Sequence, residues 1–259
     1  MSTRRVIVNA DDFGRSHGIN QGVGIAHERG VVTSASLMVR WPGATEAAVL
    51  ARSMPRLSVG LHIDLWEWVY GRGGWEQVYA VVDEDPAAVT SESRRQLARF
   101  RALLGREPSH LDSHQNAHRW EPVRSVLVAL AGELGVPLRH CTPRIEYRGD
   151  YYGQTAKGEP LAGSLAFDAL HSIVRSLAPG TSEVGCHPAL AVDFESSYGA
   201  ERLVELETLC SPEAREMFEA EDVSLVSFDQ ALDDAPLPDR VPTLARPRAG
   251  SSVGRAGDF

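Results

Sequence analysis

The sequence predicts an α/β fold in which parallel strands, each followed by a helix, close or nearly close into a barrel. Short apolar or β-branched runs alternate with amphipathic helical patterns almost to residue 233, which is typical of βαβ units. About seven such runs can be counted, close to the number that a β/α barrel needs. A doubly wound open sheet built from the same units is the alternative fold.

The elements follow one another in a regular order. After the first apolar run, Ser16 is placed to cap a helix whose apolar face carries Ile19, Val23 and Ala26 until Gly30 ends it. The predicted strands share short apolar or β-branched runs, and they begin at Val6, Val31, Leu57, Ser109, Val136, Ser182 and Val223. The predicted helices share an apolar stripe at helical spacing, and they cover residues 16–30, 44–54, 97–105, 123–134, 165–177 and a segment capped by Ser211.

Two segments fall outside this alternation. The stretch WEWVYGRGGWEQVY, from Trp66, is rich in aromatic residues and glycine, as expected for a loop over a site with Gly71, Gly73 and Gly74 as hinges. An ordinary surface insertion is the alternative interpretation. Residues 234–259 are rich in Pro, Arg, Gly and Ser and are predicted to be partly disordered, which leaves residues 1–233 for the barrel domain.

The composition excludes several classes of function. The net charge is -9, and the arginines are spread along the chain, so a nucleic-acid partner is not expected. No apolar run reaches 18 residues and MSTRR leads directly into a strand, so we expect a cytoplasmic protein with no membrane partner. Cys141, Cys186 and Cys210 stand at wide spacings, which favours reduced thiols. The oligomeric state stays open, with a homodimer as one option.

Polar side chains recur where the predicted strands end, which is where a β/α barrel carries its chemistry. An Asp with two His is a recurrent three-ligand metal set that leaves positions free for water and substrate. The chain has no H-E-x-x-H and no G-x-S-x-G, so a helix-borne zinc protease and a serine hydrolase are not indicated. The strand-end residues of ligand type are Asp11, Asp12, His62, Asp112, His114 and His187.

Asp11 and Asp12 raise a geometric question. In a regular strand their side chains would point to opposite faces, so both can enter one site only if the chain turns there. The following Phe13-Gly14 pair permits such a turn.

Four motifs carry a family resemblance. They are VNADDFG near the N-terminus, GLHIDL around His62, HLDSHQNAH from His110 to His118, and CHPA from Cys186. In this order they resemble the YdjC-like family of carbohydrate deacetylases, which includes chitooligosaccharide deacetylases, and the match runs from about residue 5 to 228. The resemblance implies a distorted β/α barrel, one divalent metal ion (magnesium or zinc), and hydrolytic removal of an acetyl group from an N-acetylated sugar.

The resemblance also implies roles for individual residues. His62 and His114 are expected to be metal ligands, and the Asp pair is expected to supply the third ligand and the catalytic base. A more distant similarity to polysaccharide deacetylases favours Asp11 as base and Asp12 as ligand, with the reverse assignment open. His187 takes the place of a general acid.

Three further residues are predicted near the site. Asp112 is expected to orient a ligand histidine, His118 to support the site or contact substrate, and Arg144 to contact substrate. Two other functions stay open at this point: hydrolysis of a different amide or ester by the same metal site, and sugar binding by a barrel without catalysis.

Overall fold

The computed structural model of the chain describes residues 3–71 and 73–233. The predicted disordered segment, residues 234–259, lies outside the described residues. Within the described ranges no helix is long and apolar enough to cross a membrane.

The centre of the fold is a parallel sheet built around the first strand. In chain order, the strands of the described residues are β1 (Arg4–Phe13), β2 (Ser34–Leu37), β3 (Ser58–Ile63), β4 (Trp66–Gly71), β5 (Gly74–Ala80), β6 (Leu111–Ser113), β7 (Ile145–Arg148), β8 (Gly180–Cys186) and β9 (Val223–Leu225). Seven of them form one sheet in the order β6-β3-β2-β1-β8-β7, with β9 also paired to β1. All of these pairings are parallel.

The predicted strand at Val136 is reduced to a single bridge between Leu138 and Leu111. Pro137 has no N–H to donate, and the chain turns immediately afterwards, where Cys141 and Thr142 both donate to the carbonyl of Leu138. The sheet therefore curves as a β/α barrel that is distorted at this position, and the predicted fold class is confirmed.

Helices cover the outside of this sheet. Among the described residues they are α1 (His17–Arg29), α2 (Ala44–Ser53), α3 (Pro86–Leu104), α4 (Val123–Leu134), α5 (Phe167–Arg175), α6 (Ala200–Leu209), α7 (Pro212–Ala220) and α8 (Phe228–Asp233). The predicted caps are confirmed: Ser16 accepts from the Ile19 amide at 3.3 Å at the start of α1, and Ser211 accepts from the Ala214 amide at 3.2 Å at the start of α7.

Some elements differ from the sequence prediction. The aromatic segment from Trp66 is not an irregular loop but an antiparallel hairpin, β4–β5, separate from the main sheet. A short 3-10 helix, His114–Arg119, follows β6 directly. Helix α6 and strand β7 had no counterpart in the sequence prediction.

Candidate active site

A cleft opens at the carboxyl ends of the parallel strands. The hairpin β4–β5 contributes one wall through Trp68, Tyr70 and Trp75, and Tyr152 contributes from another side. The charged and ionisable side chains of the floor come from strand ends, from the loops that follow and from α6, and they include Asp11, Asp12, Arg15, His62, Glu67, His114, His187 and Arg202.

A backbone turn brings both carboxylates of the N-terminal pair into this cleft. Asp12 itself adopts a left-handed conformation with φ 63°, and Gly14 follows with φ 93°. The Arg15 amide closes the turn by donating to the Asp12 carbonyl at 3.0 Å. The turn therefore begins one residue earlier than the sequence predicts, because Asp is among the few residue types that tolerate this conformation.

Asp12, His62 and His114 converge on one point. Their ligand-type atoms all lie within 4.8 Å of one another. Asp12 Oδ1 is 3.6 Å from His62 Nε2 and 3.2 Å from His114 Nδ1, yet this buried oxygen has no hydrogen-bond partner. A buried carboxylate oxygen without a partner is costly, and a cation would satisfy it. One carboxylate and two imidazoles are a suitable donor set for a divalent ion such as zinc, so the residues fit a metal ion.

The buried surroundings bias the protonation of these groups. Burial raises the pKa of Asp12, but Arg202 and His114 outweigh it and hold the pKa well below its usual range. Burial lowers the pKa of His62, but the Asp112 carboxylate, 2.8 Å from Nδ1, outweighs it and raises the pKa to about 9. The acidic surroundings therefore favour positive charge at His62, and a metal ion there would replace the proton.

Asp11 occupies a different environment from its neighbour. Arg139 donates to both of its carboxylate oxygens at 2.7 Å, and Asn9 adds a third hydrogen bond at 2.8 Å. Asp11, His62 and Asp112 also lie close enough to form a ligand group, but Arg139 contacts both of these carboxylates, Asp112 at 2.9 Å. The geometry therefore favours Asp12 over Asp11 as the metal ligand.

His187 stands opposite Asp11, immediately after β8. Its Nε2 is 3.9 Å from Asp11 Oδ2, and its backbone N–H donates to Glu205 of α6. Its ring meets Tyr152 edge-on at 5.6 Å. Burial lowers the pKa of His187 to about 4 in spite of the nearby carboxylates, so the imidazole is neutral at physiological pH.

A family model described as YdjC-like protein matches residues 5–220, most of the chain. The chain belongs to the YdjC-like protein family. The resemblance found in the sequence motifs is thereby confirmed.

Three known proteins illustrate what this YdjC-like chain is similar to. It is 34% identical over 239 residues to a chitooligosaccharide deacetylase from Serratia marcescens, covering 80% of this chain and 91% of that relative. Among solved structures, it matches an Enterococcus faecalis V583 protein described as a candidate cellobiose-phosphate cleavage protein, with a TM-score of 0.72, 27% identity, and coverage of 88% of this chain and 98% of the other. A family 4 carbohydrate esterase from Streptomyces lividans shares the fold, with a TM-score of 0.51, 14% identity, and coverage of 87% and 93%.

The remaining predicted site residues of this YdjC-like chain divide into three cases. Asp112 lies behind His62, and its carboxylate is 2.8 Å from Nδ1 of that ring. His118 is fully buried with Nδ1 2.7 Å from Ser113 Oγ, and it is not among the cleft-lining residues. The structure does not bring Arg144 to the cleft: it is exposed just before β7, whose first residue pairs with Thr181 near the amino end of β8.

Sequence reasoning missed most of the charged partners. Arg139 lies in the predicted strand that begins at Val136 but is not a metal-ligand type, while Arg202 and Glu205 extend from α6, which the sequence did not predict. Arg15 and Glu67 were also missed, although Arg15 directly follows the NADDFG motif. The one signal that could have identified Arg15 and Glu67 was that each lies within two residues of a recognised motif, VNADDFG or GLHIDL.

Proposed function

We propose that this chain is a divalent-metal-dependent deacetylase of N-acetylated sugars. The observation that carries the proposal is the convergence of Asp12, His62 and His114 on an unpartnered carboxylate oxygen at the floor of a cleft. The name of the Serratia relative supports an N-acetylated sugar as the substrate class. The aromatic side chains Trp68 and Trp75 suit a sugar ring, whose C–H faces pack on aromatic surfaces.

Asp12, His62 and His114 would hold the metal ion. When bound, a divalent ion lowers the pKa of a water molecule and polarises the acetyl carbonyl. Asp112 keeps the His62 ring in place through Nδ1, which leaves Nε2 directed at the ligand point. Arg202 neutralises the second oxygen of Asp12 and holds that carboxylate in position.

Asp11 and His187 would move the protons. Asp11, oriented by Arg139, accepts a proton from the attacking water as general base. His187 is neutral at rest and lies 3.9 Å from Asp11 Oδ2, so it can receive that proton and deliver it to the departing amine nitrogen. The carbonyl carbon gains the hydroxyl and loses the nitrogen, which gives acetate and an amino sugar.

The test is acetate release from diacetylchitobiose by metal-stripped protein, with and without added zinc or magnesium. We expect turnover only with metal, and loss of more than 100-fold in Asp12→Asn and His62→Ala because each removes a ligand. His17→Ala is the matched control, since this histidine is exposed and pairs with Glu46 outside the cleft. Full activity in metal-stripped protein and in both ligand variants would refute the metal site.

A screen of substrates distinguishes the two alternatives, a hydrolase of another amide or ester and a sugar-binding barrel without catalysis. Turnover of non-acetylated amides or of esters, with none on acetylated sugars, would favour a different metal hydrolase. Zinc and sugar binding without turnover of any amide would favour a binding protein.

A further inference from the structure

The β4–β5 hairpin places a buried carboxylate beside a predicted metal ligand. Glu67, on β4, is 7% exposed, and its Oε2 lies 3.8 Å from Nε2 of His114. The other nitrogen of this ring, Nδ1, faces Asp12 Oδ1 at 3.2 Å. One edge of the His114 ring is therefore turned to the metal site and the other to the hairpin.

Arg15 fills the remaining space at this edge of His114. Its guanidinium packs against the rings of Trp41 and Phe194, at 4.9 Å and 4.6 Å from their centres, and it donates to Glu67 at 2.6 Å. One of its nitrogens is 3.5 Å from His114 Nε2. An arginine has only donors, so Arg15 can bond Nε2 only while that nitrogen carries no proton.

Metal ligation decides where the proton of a neutral imidazole sits. When Nδ1 serves as a ligand, the proton is on Nε2, and ligating histidines almost always donate that N–H to a carboxylate, a carbonyl or water. Glu67 is the carboxylate at this edge. Closing the separation to hydrogen-bond length requires the carboxylate to move by about 1 Å.

The hairpin is also joined to the chain segment that carries His114. Gln115 has a left-handed backbone with φ 51°, which turns its side chain towards β4. Its amide accepts from the Trp68 N–H at 2.9 Å and donates to the Trp68 carbonyl at 2.7 Å, in the manner of a neighbouring strand. Gln115 therefore links the segment that carries His114 to the residue next to Glu67.

We propose that Glu67 accepts the Nε2–H of metal-bound His114, so that metal occupancy and the position of the β4–β5 hairpin are coupled. This rests on the proposed function, because it takes His114 as a metal ligand. Glu67 is a positioning residue: it acts on the metal through His114. The position of the wall that carries Trp68, Tyr70 and Trp75 then depends on the bound metal.

Charge balance supports the same role. A divalent ion at Asp12 would lie near two buried cations, Arg202 and Arg15, and Arg202 is already paired with Asp12. Glu67 is the carboxylate that neutralises Arg15. Without it, an unpaired buried guanidinium would face the metal site through His114 and oppose cation binding.

The first test is calorimetric titration of zinc into metal-stripped, full-length protein. We expect Glu67→Gln to weaken zinc binding by about 10- to 100-fold, the range typical of a lost partner of a ligating histidine. Glu76→Gln is the matched control: it makes the same change of charge on the same hairpin, at an exposed position outside the cleft lining, and is expected to bind as the unaltered protein does. Equal affinity of Glu67→Gln and the unaltered protein would overturn the proposal.

The second test needs no substitution. Zinc is expected to slow amide hydrogen exchange of residues 66–71 and 74–80 in the unaltered protein, and unchanged exchange there would also overturn the proposal.

The variant His114→Ala distinguishes failure of the metal site from failure of the role of Glu67. If His114→Ala abolishes zinc binding but Glu67→Gln leaves zinc affinity unchanged, the metal site is supported and the role of Glu67 is refuted. If the unaltered protein binds no zinc, both the metal site and the role of Glu67 are refuted.

Discussion

Asp11 and Asp12 are neighbours in the chain, yet each carboxylate is paired with a different buried arginine. Arg139 binds both oxygens of Asp11, whereas Arg202 binds one oxygen of Asp12 and leaves the other directed at His62 and His114. Two adjacent buried carboxylates repel each other unless each is compensated. The separate arginines give each carboxylate its own cationic partner and a different environment, which is the basis for assigning them different roles.

At the scale of single residues, we predict that His187 stays neutral down to about pH 4. Burial lowers its pKa to about 4, and Arg202 and Arg139 add to that shift, while Asp11 and Asp12 oppose it. The check is an NMR titration of the histidine C–H resonances from pH 3.5 to 8, with His187→Asn used to assign the signal. A His187 signal that titrates near its ordinary value of 6.5 would contradict the prediction.

The ligand-type residues could be predicted from sequence because they stand at strand ends. Asp12, His62 and His114 do converge, and Asp112 does bond the His62 ring. The arginines could not be predicted, because Arg139 and Arg202 are 128 and 190 residues from the carboxylates they contact. No local pattern shows which of many arginines a barrel will bury.

At the scale of the element, the turn from β1 into α1 depends on Gly14. Its φ is 93°, and a Cβ there would lie 2.7 Å from a Leu37 side-chain carbon and 2.8 Å from the Met38 carbonyl oxygen. We predict that Gly14→Ala lowers the free energy of unfolding by about 2–4 kcal/mol, from backbone strain and overpacking together. It should also weaken zinc binding, because Asp12 lies in the same turn. Urea unfolding and zinc titration measure the two effects.

Gly24→Ala is the control for Gly14→Ala. Gly24 lies within α1, and a Cβ there would meet no atom within 4 Å. Because alanine is the better helix former, this change should leave stability unchanged or raise it by up to about 1 kcal/mol. If the two alanine variants were equally stable, the strained turn would not be a determinant of the site.

Helix α6 shows why an element that builds the site escaped the sequence prediction. Its charged residues Arg202 and Glu205 are 3% and 0% exposed, while Leu203 and Val204 are 41% and 45% exposed. The usual amphipathic pattern, with apolar residues inside, is partly inverted because the buried face supplies Arg202 to Asp12 and Glu205 to the His187 amide. The hairpin was missed for a related reason, since three of its aromatic residues, Trp68, Tyr70 and Trp75, face the cleft instead of the core.

At the scale of the whole molecule, the barrel encloses many ionisable groups whose protonation differs between the folded and unfolded chain. Four histidines lose part of their contact with water on folding, which lowers their pKa from 6.5: to about 3 in His110, to about 4 in His140 and His187, and well below the usual range in His118. Between about pH 4 and 6.5 the unfolded chain binds these protons and the folded chain does not. Their contribution to stability therefore rises with pH across that window.

Two buried glutamates change the stability with pH in the opposite direction to these histidines. Burial raises the pKa of Glu183 and of Glu205 from 4.5 to about 7, so the folded chain binds more protons than the unfolded chain between those values. Their contribution to stability falls as pH rises from 4.5 to 7. Since the four histidines outnumber the two glutamates, the net free energy of unfolding is expected to rise with pH up to about 6.5.

His62 adds to this balance a contribution to stability that is lost at higher pH. Its pKa is raised from 6.5 to about 9, so its contribution is fully present below pH 6.5 and is lost as pH rises towards 9. Metal-free protein should therefore be most stable near neutral pH, and its free energy of unfolding should be about 1–3 kcal/mol lower at pH 5 than at pH 6.5. Urea unfolding with a chelator at pH 5, 6.5 and 9 measures this. A free energy of unfolding that falls steadily from pH 5 to 9 would show that the glutamates, not the histidines, dominate.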